Sequence, residues 1–163
     1  MKSTLDLSGI KKLESKLNKL KTKEVDFGYF QSTGTHSTAK MPYASLAWIL
    51  EEGTRSNEGG YAIPPRPALK DLASKLRTSH TEFETEMTPF YKTFLENESQ
   101  SEISLVRNAA EHLKGRYQYN MEFWYIEGSK NTRNAPLTLA LKGHNRPYED
   151  TGELIANADY RIT

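Results

Sequence analysis

Pro42-Tyr43-Ala44-Ser45-Leu46-Ala47-Trp48-Ile49-Leu50-Glu51-Glu52-Gly53-Thr54 leads through Arg55-Ser56-Asn57-Glu58-Gly59-Gly60 to Ile63-Pro64-Pro65-Arg66-Pro67-Ala68-Leu69. This reads as a helix, a loop and the start of a second helix. Pro42 suits a first helical position, and Tyr43, Leu46, Ala47 and Leu50 recur at the spacing that puts four side chains on one face to be buried. Gly53 is free to take a left-handed cap, while Gly59 and Gly60 leave the loop free to move. Pro64 and Pro65 force extended backbone, which holds Arg66 just ahead of Pro67, the expected first residue of the next helix. Trp48 lies off the apolar face. It is either an interface anchor, since tryptophan concentrates at binding hot spots, or a residue buried under the glycine loop. Glu51 and Arg66 flank the loop, as a bidentate ion pair pinning its ends or as two solvated charges.

Before this stretch, Ile10, Leu13, Leu17 and Leu20 form a narrow stripe among Lys11, Lys12, Lys16, Lys19, Lys21 and Lys23, which predicts an N-terminal helix over about 5–23. Such a helix lies on the domain's own sheet or packs on another subunit. Val25, Phe27 and Tyr29 alternate as a half-buried strand does over Val25 to Phe30, and the small polar residues from Gln31 to Lys40 predict an exposed loop. After it, Leu69, Leu72, Ala73, Leu76, His80, Phe83 and Met87 trace a long helical face. Thr88-Pro89 either caps a new helix there or kinks a continuous one. Ile103, Val106, Ala110, Leu113, Tyr117, Met121 and Trp124 give another long stripe, with Gly128 as a stop. Thr151 is a good cap for a short helical turn, and Ala158, Tyr160 and Ile162 alternate as a final strand over Ala158 to Thr163. The fold class expected is α+β: a single domain over 1–163, its core over about 24–163 a small antiparallel sheet against two long helices with long loops.

At 163 residues the chain is long enough to bury roughly two-thirds of its unfolded surface in one core. Lys and Arg number 22 against 21 Asp and Glu, so no global field draws nucleic acid or an anionic membrane. Absence of cysteine removes disulfides, thiolate nucleophiles and cysteine-ligated metal, and no run approaches membrane-spanning length. Only 36% of the residues are hydrophobic, which suggests that neighbouring subunits complete some apolar surface.

Four histidines, His36, His80, His112 and His144, stand at no metal-ligand spacing, so neither a metal nor a cofactor is expected. No Gly-x-Ser-x-Gly elbow frames a nucleophile, and no catalytic residue is assigned. Asp150-Thr151-Gly152 matches the aspartic-protease triplet, but one copy followed by Glu153-Leu154 reads as a capped turn. Charge is segregated, basic over Lys11 to Lys23 and acidic at Glu82, Glu84, Glu86, Glu96, Glu98 and Glu102. These are wet faces, or the two halves of a head-to-tail contact between copies. Lys130, Arg133, Lys142, His144 and Arg146 form a basic stretch, read as a solvated loop or as non-specific contact with DNA.

Tyr43-Ala44, Ala47, Leu50, Glu51-Glu52-Gly53-Thr54 and Ile63 to Leu69, with Pro136-Leu137-Thr138, Leu141-Lys142-Gly143 and Asp150-Thr151-Gly152-Glu153-Leu154, resemble the paired signatures of the tailed-bacteriophage virion-morphogenesis family of neck and tail-completion proteins. Glu52 stands where that family has an aromatic, Pro65 for an alanine, Ala68 for a phenylalanine, and Ala156-Asn157 for a serine-isoleucine pair. The resemblance implies a structural virion protein, made in the host bacterial cytoplasm, that forms a six-fold or twelve-fold ring between head connector and tail tube. Its partners would be copies of itself, the head-tail adaptor and the tail tube or tail terminator. A terminator or minor tail protein at the same junction is the near alternative; a small hydrolase and a DNA-binding module are alternatives of another class. The family's motif positions fall on Glu51, Gly53, Thr54, Arg66, Pro67, Asp150, Thr151 and Gly152, as structural or interface residues.

Overall fold

The computed structural model describes residues 8–57, 59–97, 99–123, 134, 136–146, 148 and 151–163. The fold is α+β. Its elements are α1 (Ser8–Leu20), β1 (Val25–Gly28), α2 (Tyr43–Glu52), β2 (Thr54–Arg55), β3 (Tyr61–Ile63), α3 (Ala68–Thr78), α4 (His80–Glu96), α5 (Glu102–Glu122), α6 (Pro136–Lys142), α7 (Glu153–Ala156) and β4 (Asp159–Ile162). β1 and β4 pair antiparallel with Val25 opposite Ile162 and Phe27 opposite Tyr160, the sheet the two alternating runs anticipate, with both strands shorter than expected. Phe27 meets the ring of Tyr117 edge-on at 5.3 Å between centroids, so the sheet's inner face rests on α5. Aromatic pairs of this kind are worth about 0.5–1.5 kcal/mol beyond the area they bury.

α5 is the central rod. Leu105, Ala110, Tyr117 and Met121 are buried along it, whereas Ile103, expected inside, is exposed. Two helices pack against the rod. α3 meets its far end, where Asn120 donates through Nδ2 to the Ala68 carbonyl at 2.7 Å, and α4 meets its middle, where Glu86 reaches His112 and Arg116. The break between α3 and α4 falls at Ser79 (φ −119°, ψ 40°), not at Thr88, and Pro89 lies inside α4. Proline removes one backbone donor there. Hydroxyls bond to carbonyls one turn back on either side of it, Thr88 to Glu84 and Thr93 to Pro89. Met87 and Phe94 fix the helix through the proline by burying fully, each worth about 1.5–3 kcal/mol.

The opening stretch folds as helix, hairpin and helix. Tyr43 and Ala47 are buried and Leu46 and Leu50 pack against the same core, as their spacing requires. Pro42 and Pro67 each sit one position earlier than expected, as the residues preceding α2 and α3. The glycine loop is a hairpin: Thr54 pairs with Ile63 and Arg55 with Tyr61, and Ser56 donates to the Gly60 carbonyl at 3.2 Å. Gly53 has φ 72° but ψ 177°, so it is not the left-handed cap expected. A side chain is excluded anyway, because a Cβ would stand 2.5 Å from the Ile63 carbonyl oxygen and 2.8 Å from the Pro65 nitrogen. The arriving strand therefore crosses directly over the end of α2.

α1 is oriented contrary to one expectation. None of its residues is buried, and Ile10, Leu13 and Leu17 are 64%, 40% and 44% exposed. The helix instead touches the body through its lysines. Lys16 donates to the Asn97 carbonyl at 3.3 Å and lies 4.9 Å from the Phe94 ring centroid, and Lys19 pairs with Glu102 at 3.6 Å. The apolar seam does not lie on the domain's own sheet. Trp124, Gly128 and the Gly128 to Asn134 loop, Asn134 apart, lie outside the described residues.

Candidate functional site

The two halves of the motif stretch and the Tyr148 to Leu154 segment converge on one buried polar node. Glu51, on the last turn of α2, turns its carboxylate to the first turn of α3 and accepts from the N–H groups of Leu69 at 2.6 Å and Lys70 at 3.5 Å. An anion there meets both the unpaired amides and the positive end of the helix dipole. Burial raises the Glu51 carboxyl above its ordinary value, and the two amides pull against that rise. Of the two readings of Glu51 and Arg66, the ion pair is absent among the described residues, and both residues are buried rather than solvated. Helix α3 has taken the carboxylate, because its unsatisfied N–H groups are close at hand and Pro67 supplies none.

Arg66 is fixed by its backbone. Its N–H donates to the Leu50 carbonyl at 2.7 Å, and its own carbonyl accepts from the Tyr148 hydroxyl, which in turn accepts from the Ala68 N–H at 3.4 Å. Tyr29, just after β1, donates to the Leu154 carbonyl of α7 at 2.6 Å. Burial pushes the phenols of Tyr29, Tyr117 and Tyr148 upward, with the Glu51 charge adding to the rise, so all three stay neutral, and Tyr29 and Tyr148 donate to carbonyls.

A second node lies beside the Gln31 to Lys40 loop. That loop is mostly exposed as expected, but His36 is buried and accepts through Nδ1 from the N–H groups of Thr38 and Ala39. Glu153 accepts from the Ser37 N–H at 2.9 Å, the Tyr43 hydroxyl at 2.8 Å and the Ser37 hydroxyl. Those three donors hold its carboxyl well below the usual range, at about 2. Ser37 thus donates its hydroxyl hydrogen bond to the Glu153 carboxylate. The partners of Glu153 lie more than a hundred residues away in the chain, which no local sequence pattern records. Gly152 takes the position before α7, and Thr151 accepts from the Glu153 N–H at 3.3 Å, a turn of the kind expected but one residue out of register. Asp150 lies outside the described residues.

Trp48 is 65% exposed, so the reading that buried it under the glycine loop is overturned. Thr54 opens the hairpin as the first residue of β2. Part of the segregated charge is satisfied within one chain: Glu102 by Lys19, and Glu86 by Arg116 at 3.0 Å and His112 at 2.6 Å. Of the basic stretch, Lys130 and Arg133 lie outside the described residues. Among the described residues no cluster of three or more His, Asp or Glu could hold a metal, and no helix is long and apolar enough to cross a membrane.

No family model matches the chain, and no curated protein or solved structure is significantly similar to it.

Proposed function

We propose that this chain is a structural subunit of a tailed-phage neck, a tail-completion or head-tail joining protein that works as a ring between head connector and tail tube. Support for the phage assignment comes from the motif resemblance at Glu51 to Thr54, Ile63 to Leu69 and the Thr151-Gly152-Glu153-Leu154 turn. The observation that carries the assembling role is the α1 seam. Ile10, Leu13 and Leu17 form one exposed stripe on a helix that meets the body through Lys16 and Lys19, an arrangement that wastes apolar surface in a lone chain and suits a chain whose neighbour covers it. Trp48 adds a second exposed anchor on another helix, as contacts to two different neighbours in a ring require. A tail terminator at the same junction would use the same surfaces. The node around Glu51 serves this role by fixing the angle between α2 and α3, so that the Trp48 surface is held rigid. Adaptor and tail proteins are the partners proposed, with the virion as the location.

The test is mass in solution and in particles. The purified chain should form a discrete oligomer in native mass measurement and sedimentation, and should be present in purified virions. Leu13→Glu with Leu17→Glu should give monomers with an unchanged melting temperature. A wild-type chain that remains monomeric at high concentration and is missing from virions would reject the reading.

A further inference from the structure

Arg66 and Asn134 share an unusual position. They are 6% and 5% exposed, and both line a cavity of about 260 Å³ together with Leu46, Leu50, Ile63 and Leu154. The Arg66 side chain makes one hydrogen bond, from Nη2 to the Asn134 Oδ1 at 3.3 Å. Its Nε and the Asn134 Nδ2 are buried with no acceptor. No ion pair to Arg66 exists among the described residues, since Glu51 is committed to the amides of α3. A guanidinium out of water without a counter-ion is costly, and buried donors are otherwise almost always satisfied. The surplus is entirely of donors, so the missing group is acceptor-only and negative. Arginine's planar fork matches a carboxylate. Beside His36, Thr138 and Tyr148 the lining is mostly apolar, which favours an acid carried on a short apolar stem over a fully hydrated phosphate.

We propose that this cavity is a binding site for a carboxylate on a short aliphatic stem, held by Arg66 and Asn134. The stem comes from a free small acid or from a glutamate side chain of a docking polypeptide. The proposal stands independently of the virion reading. It rests on buried donors without acceptors, which would need filling in any role.

Sodium butyrate, butyramide and sodium phosphate should be titrated into the full chain at fixed ionic strength, with calorimetry and melting temperature as readouts. N-acetyl-Ala-Glu-Ala-amide, whose only charge is a side-chain carboxylate, distinguishes the sources. Butyrate should bind saturably and raise the melting temperature, butyramide should not, and phosphate should bind at least ten-fold more weakly. Tighter binding of the peptide assigns the site to a docking chain, and tighter binding of butyrate assigns it to a free acid. Arg66→Gln, which leaves the backbone bonds to Leu50 and Tyr148 in place, should weaken butyrate at least ten-fold, and Asn134→Leu should do the same independently. Equal responses to butyrate and butyramide, or no response to either acid, would overturn the proposal. Glu149 and Asp150 flank Tyr148 in the sequence. If only the E149Q/D150N variant binds butyrate, the chain fills the site itself and the proposal likewise fails.

Discussion

The carboxylate of Glu51 stands 2.6 Å from the amide nitrogen of Leu69, so the last turn of one helix caps the first turn of another. Removing it leaves two buried amides without acceptors. Glu51→Ala should therefore cost about 1–3 kcal/mol in chemical denaturation. Glu51→Gln should cost less than half of that. Burial raises the Glu51 carboxyl more than the amides lower it, so the ionised form is the less favoured one and a neutral acceptor loses little. Equal losses in the two variants would show that the charge, rather than the acceptor, is what α3 needs.

Gly53→Ala should be among the most damaging single changes. The new Cβ would meet two backbone atoms of the Ile63 to Pro65 strand at under 3 Å, and neither can swing aside as a flexible side chain would. With the strain of a positive φ added, a loss of about 2–3 kcal/mol is expected. A melting temperature within a degree of the wild type would contradict the crossing of the Ile63 to Pro65 strand over α2.

Acid stability should depend on Glu153. Its carboxyl is lowered from 4.5 to about 2, so its contribution is complete above the higher value and disappears as pH falls from there through about 2. Glu51, raised instead, has the opposite sign and loses its contribution as pH rises through its folded value. Glu153→Gln should flatten the decline in melting temperature between pH 4.5 and 2, while Glu51→Gln should not. Parallel decline in the wild type and Glu153→Gln would refute the role given to Ser37 and Tyr43.

Trp48 offers an optical readout of assembly. In a Trp124→Phe background, emission from the exposed indole should be red-shifted in dilute protein and move to the blue as oligomers form. Trp48→Ala should weaken self-association while changing monomer stability by no more than about 0.5 kcal/mol. Constant emission across the assembly transition would remove Trp48 from the interface.

Much of the architecture was legible because it follows from short-range pattern. Alternation at Phe27 and Tyr160 identifies two strands, and the spacing of Tyr43 and Ala47 identifies a buried helical face. Periodicity does not say which way a face points. The stripe on α1 was visible, yet its outward orientation depends on where Lys16 finds Phe94, a contact made across most of the fold. The break at Ser79 was missed for a related reason: proline is a strong local signal, but the burial of Met87 and Phe94 carries α4 through Pro89. Likewise the Glu51–Arg66 pairing was plausible from charge alone. Two backbone amides, which no side-chain pattern records, proved the better partners.

The pairing of Val25 with Ile162 also governs how the chain matures. β1 leaves the ribosome early and must wait, with Phe27 unshielded, while nearly everything between it and its mate is synthesised. Closure of the sheet is therefore a late, long-range event that the helices can precede, and nascent chains halted before Asp159 should be the species most prone to capture by chaperones.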